Sequence, residues 1–258
     1  MDTDAQFMDY LKDVDHDFTG WDFSFITGTG RMQTQLLPWS YGSIAKTAIQ
    51  QSKIMLDMGT GGGEFLSLLR PLPDHVYATE GYEPNVAIAK KRLEPLGVKV
   101  IEFVDDAILP FDNGQFDLIL NQHESYSAIE LHRISSSGGN IITQQVGWTD
   151  CYQINDKLGV PLNEDPLNED FQNWCLEKAL EELEGSGFKI LESSEAFPVQ
   201  RFYDIGALAY YLKAIPWQIP DFSIQGYMNE LYNVHCMIKE KGYFDVNQHR
   251  FLIKAEAR

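Results

Sequence analysis

The sequence predicts an α/β fold with a mostly parallel sheet and helices on both faces. Three observations predict it. Short apolar runs that read as strands alternate with amphipathic stretches that read as helices from residue 53 onward. The first run meets the next helix through the turn Gly59-Thr60-Gly61-Gly62-Gly63. The second run ends in an acidic residue, Glu80, 21 positions after Gly59. With 258 residues, 44% of them apolar, the chain is long enough for one large α/β domain with additions.

The first strand is Lys53-Ile-Met-Leu-Asp57, and Phe65-Leu-Ser-Leu-Leu69 opens the helix after the turn. Glycines let backbone approach a ligand closely, and a helix start offers unpaired N–H groups. A dinucleotide site requires G-x-G-x-x-G. Gly59 and Gly61 fit that pattern, but Glu64 stands at its third glycine. The pattern here is D-x-G-x-G-x-G, beginning at Asp57. It resembles motif I of class I S-adenosylmethionine-dependent methyltransferases; the alternative is an ordinary glycine-rich turn of another α/β protein. The resemblance implies that Asp57, Gly59, Thr60 and Gly61 hold the methionine part of that cofactor.

His75-Val-Tyr-Ala-Thr79 reads as the second strand, with Glu80 at its tip. An acceptor-only carboxylate about 20 residues after the turn suits the ribose hydroxyls. Glu83, 24 positions after Gly59, is the rival. A helix from Pro84 to about Glu94 follows, with Val86, Ala89 and Leu93 on its apolar face. Val98 to Val104 reads as the third strand and runs into Asp105-Asp106-Ala107-Ile-Leu-Pro-Phe111. That segment resembles the family's D-A-x-x-L-P-F, which implies that Asp106 and the Ala107 backbone read the adenine; a helix N-cap is the alternative for Asp106. Phe116-Asp-Leu-Ile-Leu-Asn121 resembles the family's fourth strand and places Asn121 at the cofactor cleft. Gly138 to Val146 resembles the following turn and fifth strand.

Beyond that core, Asn163 to Asp170 is an acidic loop, a helix is expected from about Asp170 to Glu184, and Phe188 to Ala196 is the sixth strand. Helices are expected from Asp204 to Pro216 and from about Ile224 to Glu240, and His249 to Ala255 is the seventh strand. The expected fold is thus the Rossmann-like class I methyltransferase fold, a seven-stranded mostly parallel sheet with an N-terminal helical cap (1–51) before the methyltransferase domain (52–258). A helical lid insertion at about 200–241 precedes the last strand, with Tyr210, Tyr211, Trp217 and Phe222 as candidate acceptor lining. In the N-terminal segment, which also holds Trp21, Arg31 is either a partner for the cofactor's carboxylate or a surface arginine. The segments Arg201 to Pro220 and Ile141 to Gly147 resemble a group of bacterial methyltransferases of unassigned substrate.

The chemistry points to a small-molecule acceptor. Lys plus Arg total 20 against 38 Asp plus Glu, a formal net charge of −18. Nucleic-acid backbones are bound mainly through Lys and Arg, so RNA is the lesser alternative. No apolar run is long enough to span a membrane, and the N-terminus has no signal-peptide pattern. Cys151, Cys175 and Cys236 have no metal or redox spacing, and a cytoplasmic protein is expected. His123-Glu124 follows the fourth strand, where this fold's cleft opens. His123 is the candidate general base for an oxygen or nitrogen acceptor; Gln144 and Gln145 are candidates to orient that acceptor. His123-Glu124 has no second histidine at zinc-binding spacing, so no metal is expected. The remaining alternatives are a non-catalytic cofactor-binding homologue and an NAD-dependent oxidoreductase, the latter disfavoured by Glu64.

Overall fold

The computed structural model describes residues 4–18, 22–103, 105–162 and 173–258. Ten strands are found among them: β1 (Met32–Thr34), β2 (Ile54–Met58), β3 (His75–Glu80), β4 (Val98–Glu102), β5 (Phe116–Gln122), β6 (Ser135–Val146), β7 (Phe188–Ala196), β8 (Val199–Phe202), β9 (Phe244–Asn247) and β10 (Arg250–Ala257). The chain forms two compact units. One comprises Pro38–Gly147, Asn173–Ala196 and Arg250–Arg258; the other comprises Met1–Leu37, Trp148–Gln172 and Phe197–His249.

The first unit is a seven-stranded sheet in the order β4-β3-β2-β5-β6-β10-β7. The pairs from β4 through β6 are parallel, and β10 runs antiparallel to both β6 and β7. Its parallel strands read as continuous apolar runs because both faces are covered. On one face the helices Tyr41–Ile49, Glu64–Leu68 and Glu83–Leu93 press Ala45, Leu66 and Ala89 against Met55, Val76, Leu118 and Ile142. On the other, the helices Ala128–Ile134 and Leu176–Gly185 press Leu131, Ile134 and Leu183 against Leu56, Ile119 and Phe251. Each of these side chains larger than alanine, once buried, contributes about 1.5–3 kcal/mol. All seven predicted strands are present. The expected helix start at Asp170 and the acidic loop lie outside the described residues, as does Trp21.

The second unit joins pieces from far apart in the sequence. A three-stranded antiparallel sheet, β1-β8-β9, pairs Met32 with Phe202 and Phe202 with Phe244. None of its strands was expected, because three or four residues show no usable alternation. The helix Ile205–Ala214 is buried on every side apart from Lys213, as a core helix must be when it is apolar all round. Asp204 caps it, accepting from Ala207 N at 2.8 Å. The N-terminal helix Ala5–Tyr10 and the helix Met228–Lys241 share its core through Phe7, Leu208, Leu231 and Val234. The aromatic lining expected from the sequence is not assembled. Tyr210 and Tyr211 are core residues, Trp217 is 59% exposed, and Phe222 stacks on Tyr227.

Candidate cofactor and active site

The site is built at the C-terminal ends of β2 to β6. β2 delivers Asp57, which is only 7% exposed, and the chain then turns back through Gly59 and Gly61, at φ +62° and +61°. The turn is fastened to the end of β3: Thr60 N donates to Thr79 O at 2.9 Å, and Gly59 N to Thr79 Oγ1 at 3.4 Å. A side chain on Gly61 would point into open space, whereas one on Gly63 would strike Leu93. The glycine needed for close helix packing is therefore Gly63, and position 64 is free to be Glu64. Glu64 pairs with Arg92, which also donates to Gly62 O. Arg92 thereby ties its helix, Glu83–Leu93, to the turn.

Four carboxylates surround the turn. Asp57 is pushed up to about 7 by burial. The Thr60 hydroxyl beside it opposes the rise, but its buried Oγ1 meets hydrogen-bond geometry with no group. Glu80 is buried at the tip of β3, and its Oε1 accepts from Tyr82 N at 2.8 Å. Glu83 instead begins the next helix and is exposed. Asp106 accepts from the Ser125 hydroxyl and heads no helix; burial raises its pKa, Ser125 opposes the rise, and neighbouring Asp105 adds to it. Asp105 spends Oδ1 on Ala107 N at 2.8 Å. Glu124 lies against Gly59 and is pushed up to about 7 by burial, then by Asp106 and Glu80.

Behind these groups, Asn121 is fully buried, and its Oδ1 accepts from Gln145 Nε2 at 2.7 Å and Thr143 Oγ1 at 3.1 Å. Its amide nitrogen has no partner. The loop carrying Asp106 and Ala107 is pinned by Glu130 and Arg133. Glu130 accepts from Leu109 N at 2.8 Å, and Arg133 donates to Leu109 O and Phe111 O. Sequence reasoning passed over this pair, though Glu and Arg three apart on a helix was the signal.

His123 adopts a left-handed backbone, φ 65°, with its N–H on Gln144 O at 2.8 Å. Trp39 Nε1 donates to Gln144 Oε1 at 2.8 Å. Indole N–H is donor-only, so it fixes which end of the Gln144 amide faces it. The other end, Nε2, lies 3.0 Å from His123 Nε2. His123 Nε2 must then accept, and the ring is neutral with its proton on Nδ1. Crowding by protein and the Arg250 charge both lower its pKa. More than a third of the residue's surface is open, so solvent offsets part of that depression. To act as a base, His123 must give up the bond from Gln144.

Arg31 is in neither role expected for it. Its fork holds Asp204 at 2.6 and 2.7 Å and also pairs with Asp13, so no donor pair is left for a ligand carboxylate. Among the described residues no His, Cys, Asp or Glu group of three is arranged to hold a metal, and no helix is long and apolar enough to cross a membrane.

The residues fit S-adenosylmethionine. The turn is open where Gly61 faces it, buried polar atoms of Thr60 and Asn121 lack partners, Glu80 ends β3, and Asp106 stands in the loop after β4. Residues 56–142 match the family model described as a methyltransferase domain. Three solved structures share the fold. A functionally unknown protein from Deinococcus radiodurans R1 is 11% identical, covering 88% of this chain and 91% of its own (TM-score 0.60). A putative methyltransferase from Bacillus halodurans is 14% identical, covering 82% and 97% (TM-score 0.57). The YcgJ protein from Bacillus subtilis is 14% identical, covering 84% and 98% (TM-score 0.54). A protein-L-isoaspartate O-methyltransferase from Bradyrhizobium is 36% identical over 74 residues, a match spanning 28% of this chain and 34% of that protein. Glycine turn, strand order and the family match together show a methyltransferase domain over residues 56–142, set in a Rossmann-like fold.

Proposed function

We propose that the chain transfers a methyl group to an oxygen or nitrogen atom of a small-molecule acceptor. The observation that carries the acceptor class is the net charge of −18, which repels nucleic-acid backbones. The isoaspartate methyltransferase's acceptor is not carried over, because that match covers 28% of the chain. A cytoplasmic site of action and an acceptor-selecting role for the N-terminal segment and the 200–241 insertion belong to the same proposal.

In this reading Asp57, Gly59, Thr60 and Gly61 hold the methionine part of the cofactor, Glu80 the ribose, and Asp106 with Ala107 the adenine. Asn121 offers its buried amide N–H, whose unpaired burial otherwise costs about 1–3 kcal/mol. When bound, the cofactor supplies a sulfonium-activated methyl group. The protein's share is to align an acceptor lone pair with the methyl–sulfur axis. His123, kept neutral by Gln144, acts as a positioning group that donates from Nδ1, with Gln144 and Trp39 holding its ring.

The test is incubation with tritium-methyl-labelled S-adenosylmethionine and a cell extract, fractionated by size. Label in the metabolite fraction is the expected result. Label in RNA or protein would overturn the acceptor class, and bound but untransferred cofactor would favour a non-catalytic homologue.

A further inference from the structure

We propose that Glu124 is the countercharge for the cationic methionine end of the cofactor. The geometry comes first. A Cβ placed on Gly59 would strike Glu124 Oε2 and lie 2.6 Å from its Cβ and Cγ. The Glu124 side chain therefore rests directly on the first glycine of the turn, in the space that a side chain at Gly59 would fill. Its backbone is held there from two sides. Gln145 Nε2 donates to Glu124 O at 3.0 Å, and the left-handed His123 is fastened to Gln144 O.

The carboxylate itself has no cationic partner among the described residues. The charged groups that face it are Asp106, beyond β4, and Glu80, at the tip of β3, and both are acidic. Asp57, the next-to-last residue of β2, stands two positions before the glycine that Glu124 touches. A part-buried carboxylate among like charges, with no donor on it, is costly in the free protein. A cation arriving beside it removes that cost. Resting on the donor-site reading above, Glu80 and Asp106 take the adenosine on the β3–β4 side. The amino-acid end then lies on the β2–β5 side, where Glu124 stands. That end carries an ammonium and, in the methyl donor alone, a sulfonium.

Calorimetry on wild type, Glu124→Gln and Glu124→Asp with three ligands tests this. S-adenosylmethionine carries both cations, S-adenosylhomocysteine only the ammonium, and adenosine neither. Glu124→Gln should weaken the first by about ten- to hundredfold and leave adenosine unchanged, with partial recovery in Glu124→Asp. An equal loss for S-adenosylhomocysteine places the contact at the ammonium; a loss confined to S-adenosylmethionine places it at the sulfonium. A second readout is proton release, measured in buffers of different ionisation heat. Burial and the neighbouring Asp106 and Glu80 raise the Glu124 carboxyl, so a cation should expel protons from wild type that Glu124→Gln does not release. Unchanged affinities, equal losses for all three ligands, or equal proton release would overturn the proposal. Tighter binding by Glu124→Gln would also overturn it, because the side chain would then only obstruct the turn. Wild type that binds none of the three would instead defeat the donor-site reading itself.

Discussion

Each compact unit holds a group of carboxylates, and the two groups are partnered in opposite ways. In the unit built on β1, β8 and β9, Asp13 and Asp204 sit on Arg31, Asp245 on Arg201, and Asp4 on Lys239 and His235. In the unit built on the seven-stranded sheet, Asp57, Glu80, Asp106 and Glu124 gather at one glycine turn. Among the described residues none of these four is in an ion pair. A paired carboxylate holds the fold together. An unpaired, buried one raises the energy of the empty protein and is worth keeping only where a ligand will meet it. On the proposed reading, the second group serves the ligand and the first serves the fold.

Substitutions should break that contrast in order of size. Gly61→Val is expected to abolish cofactor binding in calorimetry, since a β-branched side chain resists φ near +61° and stands in the open turn. Gly242→Val has a similar backbone cost, with φ 88° in the other unit, and should lower stability while leaving affinity intact.

Asp57 has its effect through pH. Its pKa is raised to about 7 in the folded state, so between roughly pH 4 and 7 the unfolded chain is ionised while the folded protein keeps the proton. Its contribution to stability therefore falls as pH rises through that window and is flat above it. Asp57→Asn should remove about 2–4 kcal/mol of that decline, seen in urea unfolding between pH 4 and 8.

Glu80→Ala should lower cofactor affinity about ten- to hundredfold, while Glu83→Ala changes it little. The reverse ranking would place the ribose contact on the helix. Arg31→Met should cost about 2 kcal/mol by leaving Asp204 and Asp13 unpaired, with affinity unchanged in protein that remains folded. The smallest effect belongs to His123. His123→Ala should leave affinity intact and slow transfer without deleting a rate limb at pH 6–7, because its lowered pKa puts any such limb more acidic than 6.5. Loss of a limb near neutrality would restore His123 as the base.

The contrast between units also separates what the sequence could say from what it could not. The glycine turn and the strands around it were legible because they are short contiguous signals. Asp57 to Gly63 is seven consecutive residues, and Glu80 ends β3 as its place after the second apolar run suggested. Glu124 was visible as a residue but not as a neighbour of Gly59, since 65 positions separate them and only the β2–β5 pairing brings them together. His123 showed its titratable ring but not the Trp39–Gln144 relay that occupies it, which joins positions 105 apart. The second unit was least legible. Its sheet pairs residue 32 with residue 202, and Arg31 meets an aspartate 173 positions away. Local pattern carries no trace of such pairings.

The most direct test of the central claim, that the unpaired carboxylates mark a site for S-adenosylmethionine, is calorimetry of the wild-type protein with S-adenosylmethionine, S-adenosylhomocysteine and NAD. The account predicts saturable binding of the first two at one site and no heat from NAD, because Glu64, paired with Arg92, stands at the third glycine position that a dinucleotide turn requires. Tight NAD binding with no heat from S-adenosylmethionine would contradict it.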